Sequence, residues 1–301
     1  AVDPLQCPHP ARLRLSTPPP LPNMLRLYST PAGLIVERDG AFFPVPQALT
    51  LDALFSAADP EALLLAALLD ARPIAGGDHK GTLLAPLQSQ EVWAAGVTYY
   101  RSRTARMAES KDSGGDTFYD KVYEADRPEI FFKATPHRVA APGGGVRIRS
   151  DSRWNVPEPE LTLAINSAGK IFGYTLGNDM SSRDIEGENP LYLPQAKVYD
   201  QCAALGPCLV VTSTLPDGAA VIAIEIRRAG ATVFAGETTI GQIKRPLPSL
   251  ADWLYRDNAF PHGAYLMTGT GVVPPDGFTL QPADEIRITL DPVGTLVNFV
   301  R

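Results

Sequence analysis

Alternating hydrophobic and polar residues predict that the chain is rich in short strands. From Met24 the stretch LRLYSTPAGLIVERDGAFFPV alternates in this way, and Asp39-Gly40 within it predicts a tight hairpin turn because both residues tolerate positive φ angles. A helix is predicted over residues 59–71. Asp59 would cap this helix, Pro60 would fill its first position, and the leucines that follow would form its apolar face.

After Gln88 the pattern is again mostly strand-like, and the strands are separated by Gly, Pro, Asn or Asp. Two short helices are predicted among them, over residues 104–110 and over residues 249–255 with Ser249 as the cap. Met24 is the predicted natural start. We therefore expect a mainly β, α+β fold in three parts: a proline-rich N-terminal extension (1–23), a small α+β N-terminal domain (24–87) and a larger β-rich domain (88–301).

The composition supports short elements and tight turns. Of 301 residues, 45% are hydrophobic and 29 are proline, which is about twice the average proline usage of ~5%. Proline at this density disfavours long helices because it removes backbone donors and clashes with the preceding turn. Three cysteines without a C-x-x-C pair indicate neither a disulfide framework nor a cysteine-rich zinc site, so a reducing cytoplasm is expected.

The charge balance and the apolar runs exclude two classes of partner. The 27 Lys and Arg residues against 33 Asp and Glu residues give a formal net charge of -6, whereas a general nucleic-acid binder needs a clustered basic surface. The longest apolar run covers residues 62–69, far short of the roughly 20 residues that span a bilayer. We therefore expect a protein that binds neither nucleic acid nor a membrane.

Paired carboxylates are the strongest chemical signal in the chain. Glu158 and Glu160 head the strand LTLAI, and residues two apart on a strand point to the same face. The next strand returns after the turn NSAG and ends with Asp179, so a third carboxylate reaches the same end of the hairpin. Such an all-oxygen site suits Mg²⁺, with Ca²⁺ or Mn²⁺ as alternatives. Spacing alone is equally typical of a solvated strand edge.

Five ordered segments after Gln88 resemble motifs of the fumarylacetoacetate hydrolase superfamily. They resemble its G-x-x-Y loop, its metal-binding glutamate pair, its Y-T-x-x-N-D-x-S-x-R-D segment, its K-x-x-D-x-x-x-x-L-G-P segment and its T-G-T turn. In chain order these segments are GVTYYRSRTAR, PEPELTLAI, GYTLGNDMSSRDIEGE, AKVYDQCAALGPCLV and LMTGTG. The resemblance implies a mixed β-roll or sandwich, dimeric or tetrameric, with a metal in a pocket at one end. It also implies that Glu158, Glu160 and Asp179 are the metal ligands.

The resemblance also bears on the reaction. Members that cleave carbon–carbon bonds carry a histidine in the loop after G-x-x-Y, but residues 99–103 read YYRSR and contain none. Without a base near the metal, a water nucleophile has little to take its proton, which disfavours carbon–carbon hydrolysis. A hydrolase of acylpyruvates or 2,4-diketo-3-deoxy sugar acids is nevertheless the first alternative. A non-catalytic protein that binds 2-oxo acids is the second.

Within the superfamily, the amino-acid sequence from Met24 onward most resembles the 2-keto-3-deoxy-pentonate dehydratases, including the enzyme for the D-arabinonate derivative. By that resemblance Glu129 of RPEIFFK and Lys197 of AKVY flank the metal as catalytic residues. Without it, Lys197 would be a surface lysine and Glu129 a partner of Arg127. We therefore expect a Mg²⁺-dependent hydro-lyase that converts a 2-keto-3-deoxy-pentonate to 2,5-dioxopentanoate and water.

The chemistry of a 2-keto acid fits this set of residues. A chelated Mg²⁺ acts as a Lewis acid, so protons on the third carbon become removable. Lys197 is a candidate base, since nearby positive charge and burial both lower a lysine pKa, and Glu129 could protonate the leaving hydroxyl. The sequence leaves an exchange of these two roles open. It equally leaves the configuration at the fourth carbon open, so substrates derived from arabinonate and from xylonate both fit.

Three further side chains are predicted to contact the substrate. Arg101 and Ser102 would hold its carboxylate or hydroxyl groups, because a guanidinium matches a carboxylate in a bidentate fork. Thr270 of the T-G-T turn is a similar candidate. Four other residues of the motifs are not assigned to the substrate. Arg183 and Asp184 are expected to orient the loop of the metal ligands, and Tyr99 and Tyr199 are expected in the core.

Overall fold

The computed structural model describes residues 24–74, 82–99 and 121–301, and strands dominate these ranges. The predicted N-terminal extension and the helix predicted over residues 104–110 lie outside them. No helix within the described ranges is long and apolar enough to cross a membrane.

The described strands are β1 (Leu25–Thr30), β2 (Gly33–Arg38), β3 (Ala41–Pro44), β4 (Glu91–Gly96), β5 (Glu129–Ala134), β6 (Val139–Ala140), β7 (Gly145–Val146), β8 (Asn155–Ile165), β9 (Ile171–Ser182), β10 (Ala203–Val211), β11 (Val221–Arg228), β12 (Ala231–Thr239), β13 (Ala264–Met267), β14 (Glu285–Leu290) and β15 (Gly294–Val300). The α-helices whose two ends both lie within the described ranges are α1 (Leu51–Ser56), α2 (Pro60–Ala67), α3 (Arg183–Glu188), α4 (Leu193–Lys197) and α5 (Leu247–Tyr255).

Two sheets pack face to face. The larger has ten strands, nine of them in the order β3-β2-β1-β10-β9-β8-β13-β4-β5, with β6 added beside β10. The smaller has the order β12-β11-β14-β15-β7. Leu161 and Leu163 of β8 share one hydrophobic core with Ile224 of β11 and Ile288 of β14, so this core fills the space between the sheets. The expectation of a mainly β, α+β sandwich is confirmed.

A second core lies on the opposite face of the large sheet. It contains Ala164 of β8 together with Leu54 and Phe55 of α1. The Phe55 ring packs edge-on against Phe172 and Tyr265, with centroids 4.8 and 5.1 Å apart. Because side chains alternate along β8, its even-numbered residues share this face. The helices cover one end of that face, and the other end carries the polar residues described below.

The N-terminal strands extend the large sheet. The β1 strand pairs antiparallel with β10, with Leu25 opposite Val211. The predicted hairpin turn is confirmed, since Asp39 and Gly40 both have positive φ, at 52° and 78°. The division of the chain at residue 87 stays a prediction, and the strands on either side of it share one sheet.

The helix predicted over residues 59–71 begins as expected and ends early. Asp59 caps it by accepting a hydrogen bond from the Ala62 amide at 3.0 Å. The predicted end is wrong, because the helix stops at Ala67. Asp70 would place a negative charge at the negative end of the helix dipole, and Pro73 restricts the residue before it.

The helix predicted over residues 249–255 begins two residues earlier than expected, at Leu247. Pro246 occupies the cap position, so the prediction of Ser249 as the cap is wrong. Pro248 lies in the first turn, where its missing N–H breaks no intrahelical hydrogen bond.

Candidate active site

Three buried carboxylates meet at one end of the β8–β9 hairpin. Glu158 pairs directly with Asp179 across the two strands, and Glu160 follows two residues later on the same face of β8. The three side chains place carboxylate oxygens within 4.8 Å of one another. Their relative exposures are 4%, 2% and 1%. The structure therefore brings together the three predicted metal ligands.

The T-G-T turn holds one of these carboxylates. The Gly269 amide donates a 2.6 Å hydrogen bond to Oε2 of Glu160. Gly269 has a φ of 90°, and a Cβ on it would lie 2.0 Å from Oγ1 of Thr98, so only glycine fits here. Burial, together with the negative charges of Asp179 and Glu158, raises the pKa of the Glu160 carboxyl well above its usual value.

Lys197 places its ammonium among the carboxylates. It is the last residue of α4 and is 1% exposed. Its Nζ lies 2.5 Å from Oε2 of Glu158 and 2.9 Å from Oδ2 of Asp179. It also donates to the Ser181 hydroxyl at 2.5 Å. Lys197 is therefore a buried member of the cluster, and the alternative of a surface lysine is excluded.

Helix α3 supplies an arginine and a further glutamate. Arg183 donates from an Nη atom to Oε1 of Glu158 at 2.5 Å. Glu186, three residues later, lies 3.4 Å from Nζ of Lys197 and 3.8 Å from Nε of Arg183. Asp184 accepts hydrogen bonds from the Ser152 hydroxyl and the Arg153 amide, so it orders the loop that leads into β8.

Strand β5 turns three side chains toward the site, because residues 129, 131 and 133 lie on the opposite strand face from Ile130, which packs against the core between the sheets. Phe131 lines the cavity between the carboxylates, and its ring centroid lies 5.7 Å from Nζ of Lys197. Glu129 is half-buried at the start of the strand, opposite Gly96 of β4. Lys133 is completely buried and lies 2.6 Å from Oδ1 of Asp179.

Sequence reasoning did not select Lys133 or Glu186. The spacing in EIFFK carried a signal for Lys133, because it shares a strand face with Glu129. The spacing of Arg183 and Glu186 carried another, because residues three apart lie on the same side of a helix. Neither signal shows that the face is buried.

The carboxylates surround a small cavity of about 20 Å³, a volume that suits a single ion or water molecule. Gly96 and Thr270 also line it. The hydroxyl of Thr270 donates to the Val272 carbonyl at 3.0 Å, so this residue also shapes the turn. The other two predicted substrate contacts, Arg101 and Ser102, lie outside the described residues.

Of the two tyrosines assigned to the core, Tyr99 is buried and Tyr199 is half-buried. Tyr99 is 1% exposed, and burial raises the pKa of its hydroxyl. Burial likewise raises the pKa of Tyr199, whose ring centroid lies 5.8 Å from Nζ of Lys133. Both remain in their neutral forms at ordinary pH.

The donor set fits a divalent cation. Glu158, Glu160 and Asp179 offer oxygen atoms alone, which hard cations such as Mg²⁺ prefer. Three carboxylates this close repel one another, and burial together with this repulsion raises the pKa of Glu160. A bound cation would relieve it.

Comparisons with known proteins agree with the site. Residues 97–301 match the family model described as fumarylacetoacetate (FAA) hydrolase C-terminal. A probable 2-keto-3-deoxyxylonate dehydratase of Haloferax volcanii is 47% identical over 216 residues, which cover 71% of this chain and 73% of that protein. A 2-dehydro-3-deoxy-D-arabinonate dehydratase of Saccharolobus solfataricus is 42% identical over 218 residues, or 72% of this chain and 73% of that protein.

A solved structure resembles the chain over almost its whole length. It is a 2-keto-3-deoxy-D-arabinonate dehydratase complexed with magnesium and 2,5-dioxopentanoate. The TM-score is 0.77 at 33% sequence identity, with 92% of this chain and 98% of that chain covered.

Proposed function

Because the chain belongs to the fumarylacetoacetate hydrolase family, we propose that it is a divalent-metal-dependent dehydratase that converts a 2-keto-3-deoxy-pentonate to 2,5-dioxopentanoate and water. The observation that carries the proposal is the position of Lys197. Its ammonium lies within hydrogen-bond distance of two carboxylates of the triad, and Glu129 lies on β5 opposite Gly96, which lines the cavity between the carboxylates. One cation site and two proton-transferring groups are what a β-elimination next to a ketone requires.

Glu158, Glu160 and Asp179 hold the cation in this proposal. A bound Mg²⁺ would supply Lewis acidity to the 2-oxo group and the carboxylate of the substrate, which stabilises negative charge as it develops there. Arg183 and Lys133 keep the triad in place, since each contacts one of its carboxylates from the protein side. Mn²⁺ and Ca²⁺ offer the same coordination chemistry with larger ions.

Lys197 and Glu129 move the protons. Lys197, as the free amine, takes a proton from the third carbon, and the electron pair of that C–H bond forms the new double bond to the fourth carbon. The C–O bond at the fourth carbon breaks, and Glu129 protonates the departing hydroxyl to give water. Glu129, now a carboxylate, then removes a proton from the fifth carbon, and a proton returns to the third carbon, which yields the enol of the aldehyde. Its tautomerisation gives 2,5-dioxopentanoate.

A panel of 2-keto-3-deoxy acids assayed with and without EDTA tests the proposal. We expect a single dehydrated product from at least one pentonate, released only when Mg²⁺ or Mn²⁺ is present. Comparing the D and L forms of the 2-keto-3-deoxy-pentonate assigns the configuration at the fourth carbon, because D-arabinonate and D-xylonate give the same 2-keto-3-deoxy acid. Formation of pyruvate together with a second fragment would show carbon–carbon cleavage instead. Binding without turnover of any panel member would indicate a 2-oxo-acid binder.

Substitution of Lys197 tests the mechanism. Lys197→Ala removes the proposed base, and we expect it to lower kcat by at least about 10²-fold, the lower range for loss of a general base. Lys170→Ala is the matched control, since Lys170 is an exposed lysine in the turn of the same hairpin. An active Lys197→Ala enzyme would refute the assigned role.

A further inference from the structure

Lys133 is the one buried lysine of the described cluster to which the proposed reaction gives no proton-transfer role. Its relative exposure is 0%, and its Nζ lies 2.6 Å from Oδ1 of Asp179. The same ammonium donates to the Met180 carbonyl at 2.8 Å and to the Lys197 carbonyl at 2.6 Å. The ammonium therefore makes two hydrogen bonds to backbone carbonyls and an ion pair with the Asp179 carboxylate.

These three contacts join the parts of the site to one another. Asp179 and Met180 belong to β9, whereas Lys197 ends α4. Lys133 itself belongs to β5, the strand that carries Glu129. The Lys133 side chain therefore links three parts of the site: the proposed metal ligand Asp179, the backbone of Lys197, and strand β5, which carries Glu129.

The position of Lys133 also decides how Asp179 presents its carboxylate. Lys133 engages Oδ1, while Oδ2 is directed toward Lys197, which at the same time contacts Glu158. A carboxylate held at one oxygen cannot rotate freely, so the other oxygen keeps a fixed direction. Burying an unpaired carboxylate or an unpaired ammonium is unfavourable, and this pairing avoids both.

We propose that Lys133 is a positioning residue: it fixes the Asp179 carboxylate for the metal, and through the Lys197 carbonyl it fixes the side chain of the proposed base. The part that concerns Lys197 rests on the proposed function. The part that concerns Asp179 rests only on the contacts of the carboxylate triad.

Two roles of a buried lysine predict opposite effects on metal affinity. If Lys133 were only a nearby positive charge, its removal would relieve repulsion and tighten binding of a divalent cation. If it positions Asp179, its removal frees that carboxylate and weakens binding, because partners that orient metal ligands typically contribute about 10–100-fold in affinity or activity. The sign of the change therefore separates the two.

The test is Lys133→Met, which keeps the length and the apolar stem of the side chain. Mn²⁺ affinity is measured by electron paramagnetic resonance and Mg²⁺ affinity by calorimetry, without substrate. We expect affinity for both ions to fall about 10–100-fold. At saturating metal, kcat should fall by a similar factor while KM changes little, since no substrate contact is removed. Lys133→Gln serves as the second variant if the methionine protein does not fold.

Arg228→Met is the matched structural control. Arg228 pairs with the completely buried Asp284 at 2.8 Å and with the Thr279 carbonyl at 3.0 Å, a similar arrangement in the smaller sheet. We expect this variant to lose stability, seen as a lower Tm, and to keep the metal affinity of the parent within about twofold, as for independent sites.

The outcomes separate this inference from the proposed function. Unchanged or tighter metal binding by folded Lys133→Met overturns the positioning role, even when the parent enzyme dehydrates its substrate. A parent that binds Mn²⁺ but turns over no pentonate refutes the proposed function, while weaker Mn²⁺ binding by Lys133→Met still supports the positioning of Asp179.

Discussion

Glu129 occupies its place because residue 96 has no side chain. A Cβ built on Gly96 would lie 1.9 Å from Oε2 of Glu129, although the backbone of Gly96 has an ordinary negative or extended φ. Gly96 pairs with Glu129 across β4 and β5 and also lines the cavity beside the carboxylate triad. The glycine therefore provides the space that the proposed acid uses.

The Gly96→Ala variant should lose activity and keep its stability. The new methyl group must displace the flexible Glu129 carboxylate, and a displacement of about 1 Å at a catalytic group costs about 10²-fold in rate. We expect kcat to fall by about that factor, while Mn²⁺ affinity and Tm stay close to those of the parent. Gly218→Ala is the matched control, because its Cβ would meet only Gly241 Cα, at an ordinary 3.4 Å. Equal kcat in the two variants would contradict a role for Glu129.

At the scale of elements, the β8–β9 hairpin sets the geometry of the metal site. Its register places Glu158 opposite Asp179 and keeps Glu160 on the same face. A slip by one residue would turn all these carboxylates toward the apolar core between the sheets. Leu161 and Leu163 on the opposite face prevent that slip, because they are completely buried in that core.

Helix α1 is held by a carboxylate far from the active site. Asp52 accepts hydrogen bonds from the Ser89 amide at 3.0 Å, the Ser89 hydroxyl at 2.7 Å and the Gln90 amide group at 2.9 Å. Burial alone would raise the pKa of Asp52, but these hydrogen bonds hold it below the ordinary value of 3.8. The contacts attach α1 to the residues that lead into β4.

This carboxylate predicts a component of acid stability. Because its folded pKa is depressed, the stabilisation is complete above the unfolded pKa of 3.8 and is lost as the pH falls through the folded pKa. We expect Asp52→Ala to lower the free energy of unfolding by about 1–3 kcal/mol near pH 7. The difference from the parent should shrink below about pH 4, as measured by urea unfolding across pH. Asp70→Ala, at an exposed position, is the control and should show neither effect.

At the scale of the whole molecule, an unusual number of charges is buried beside the central hairpin. Four carboxylates and three cations, each at most 4% exposed, form the described cluster: Glu158, Glu160, Asp179, Glu186, Lys133, Lys197 and Arg183. Their formal sum is one negative charge. This sum counts Lys197 as an ammonium; with Lys197 as the free amine of the proposed mechanism the cluster carries two negative charges, which a divalent cation would neutralise. The cluster thus favours a divalent metal ion.

Metal binding should therefore stabilise the entire fold. The ligands lie on adjacent central strands of the ten-stranded sheet, and a ligand that binds only the folded state adds about 2.7 kcal/mol at a hundred times its Kd. For a protein of 301 residues we expect Tm to rise by about 4–5 °C. Differential scanning calorimetry with Mg²⁺ and with EDTA measures the change. Glu160→Gln should abolish most of this increase in Tm. A parent protein whose Tm does not change with Mg²⁺ would contradict the proposed metal site.

The local features of this protein could be predicted from its amino-acid sequence alone. Alternation predicted the strands, Asp39-Gly40 predicted the hairpin turn, and the two-residue spacing of Glu158 and Glu160 predicted carboxylates on one strand face. The resemblance of five motifs identified the superfamily. These features depend on residues close together in the chain, whose geometry backbone dihedral angles and side-chain periodicity set directly.

The groups that complete the site are distant in the chain, and they could be assigned only from the packing of the fold. Gly269 reaches Glu160 across 109 residues, and Lys197 reaches Glu158 across 39. Lys133 was missed because EIFFK reads the same whether its lysine is solvated or buried. Its pairing with Asp179 depends on how β5, β9 and α4 pack, and local propensity carries no information about that packing. The carboxylates could be read from the chain, whereas the cations that hold them could be assigned only from the fold.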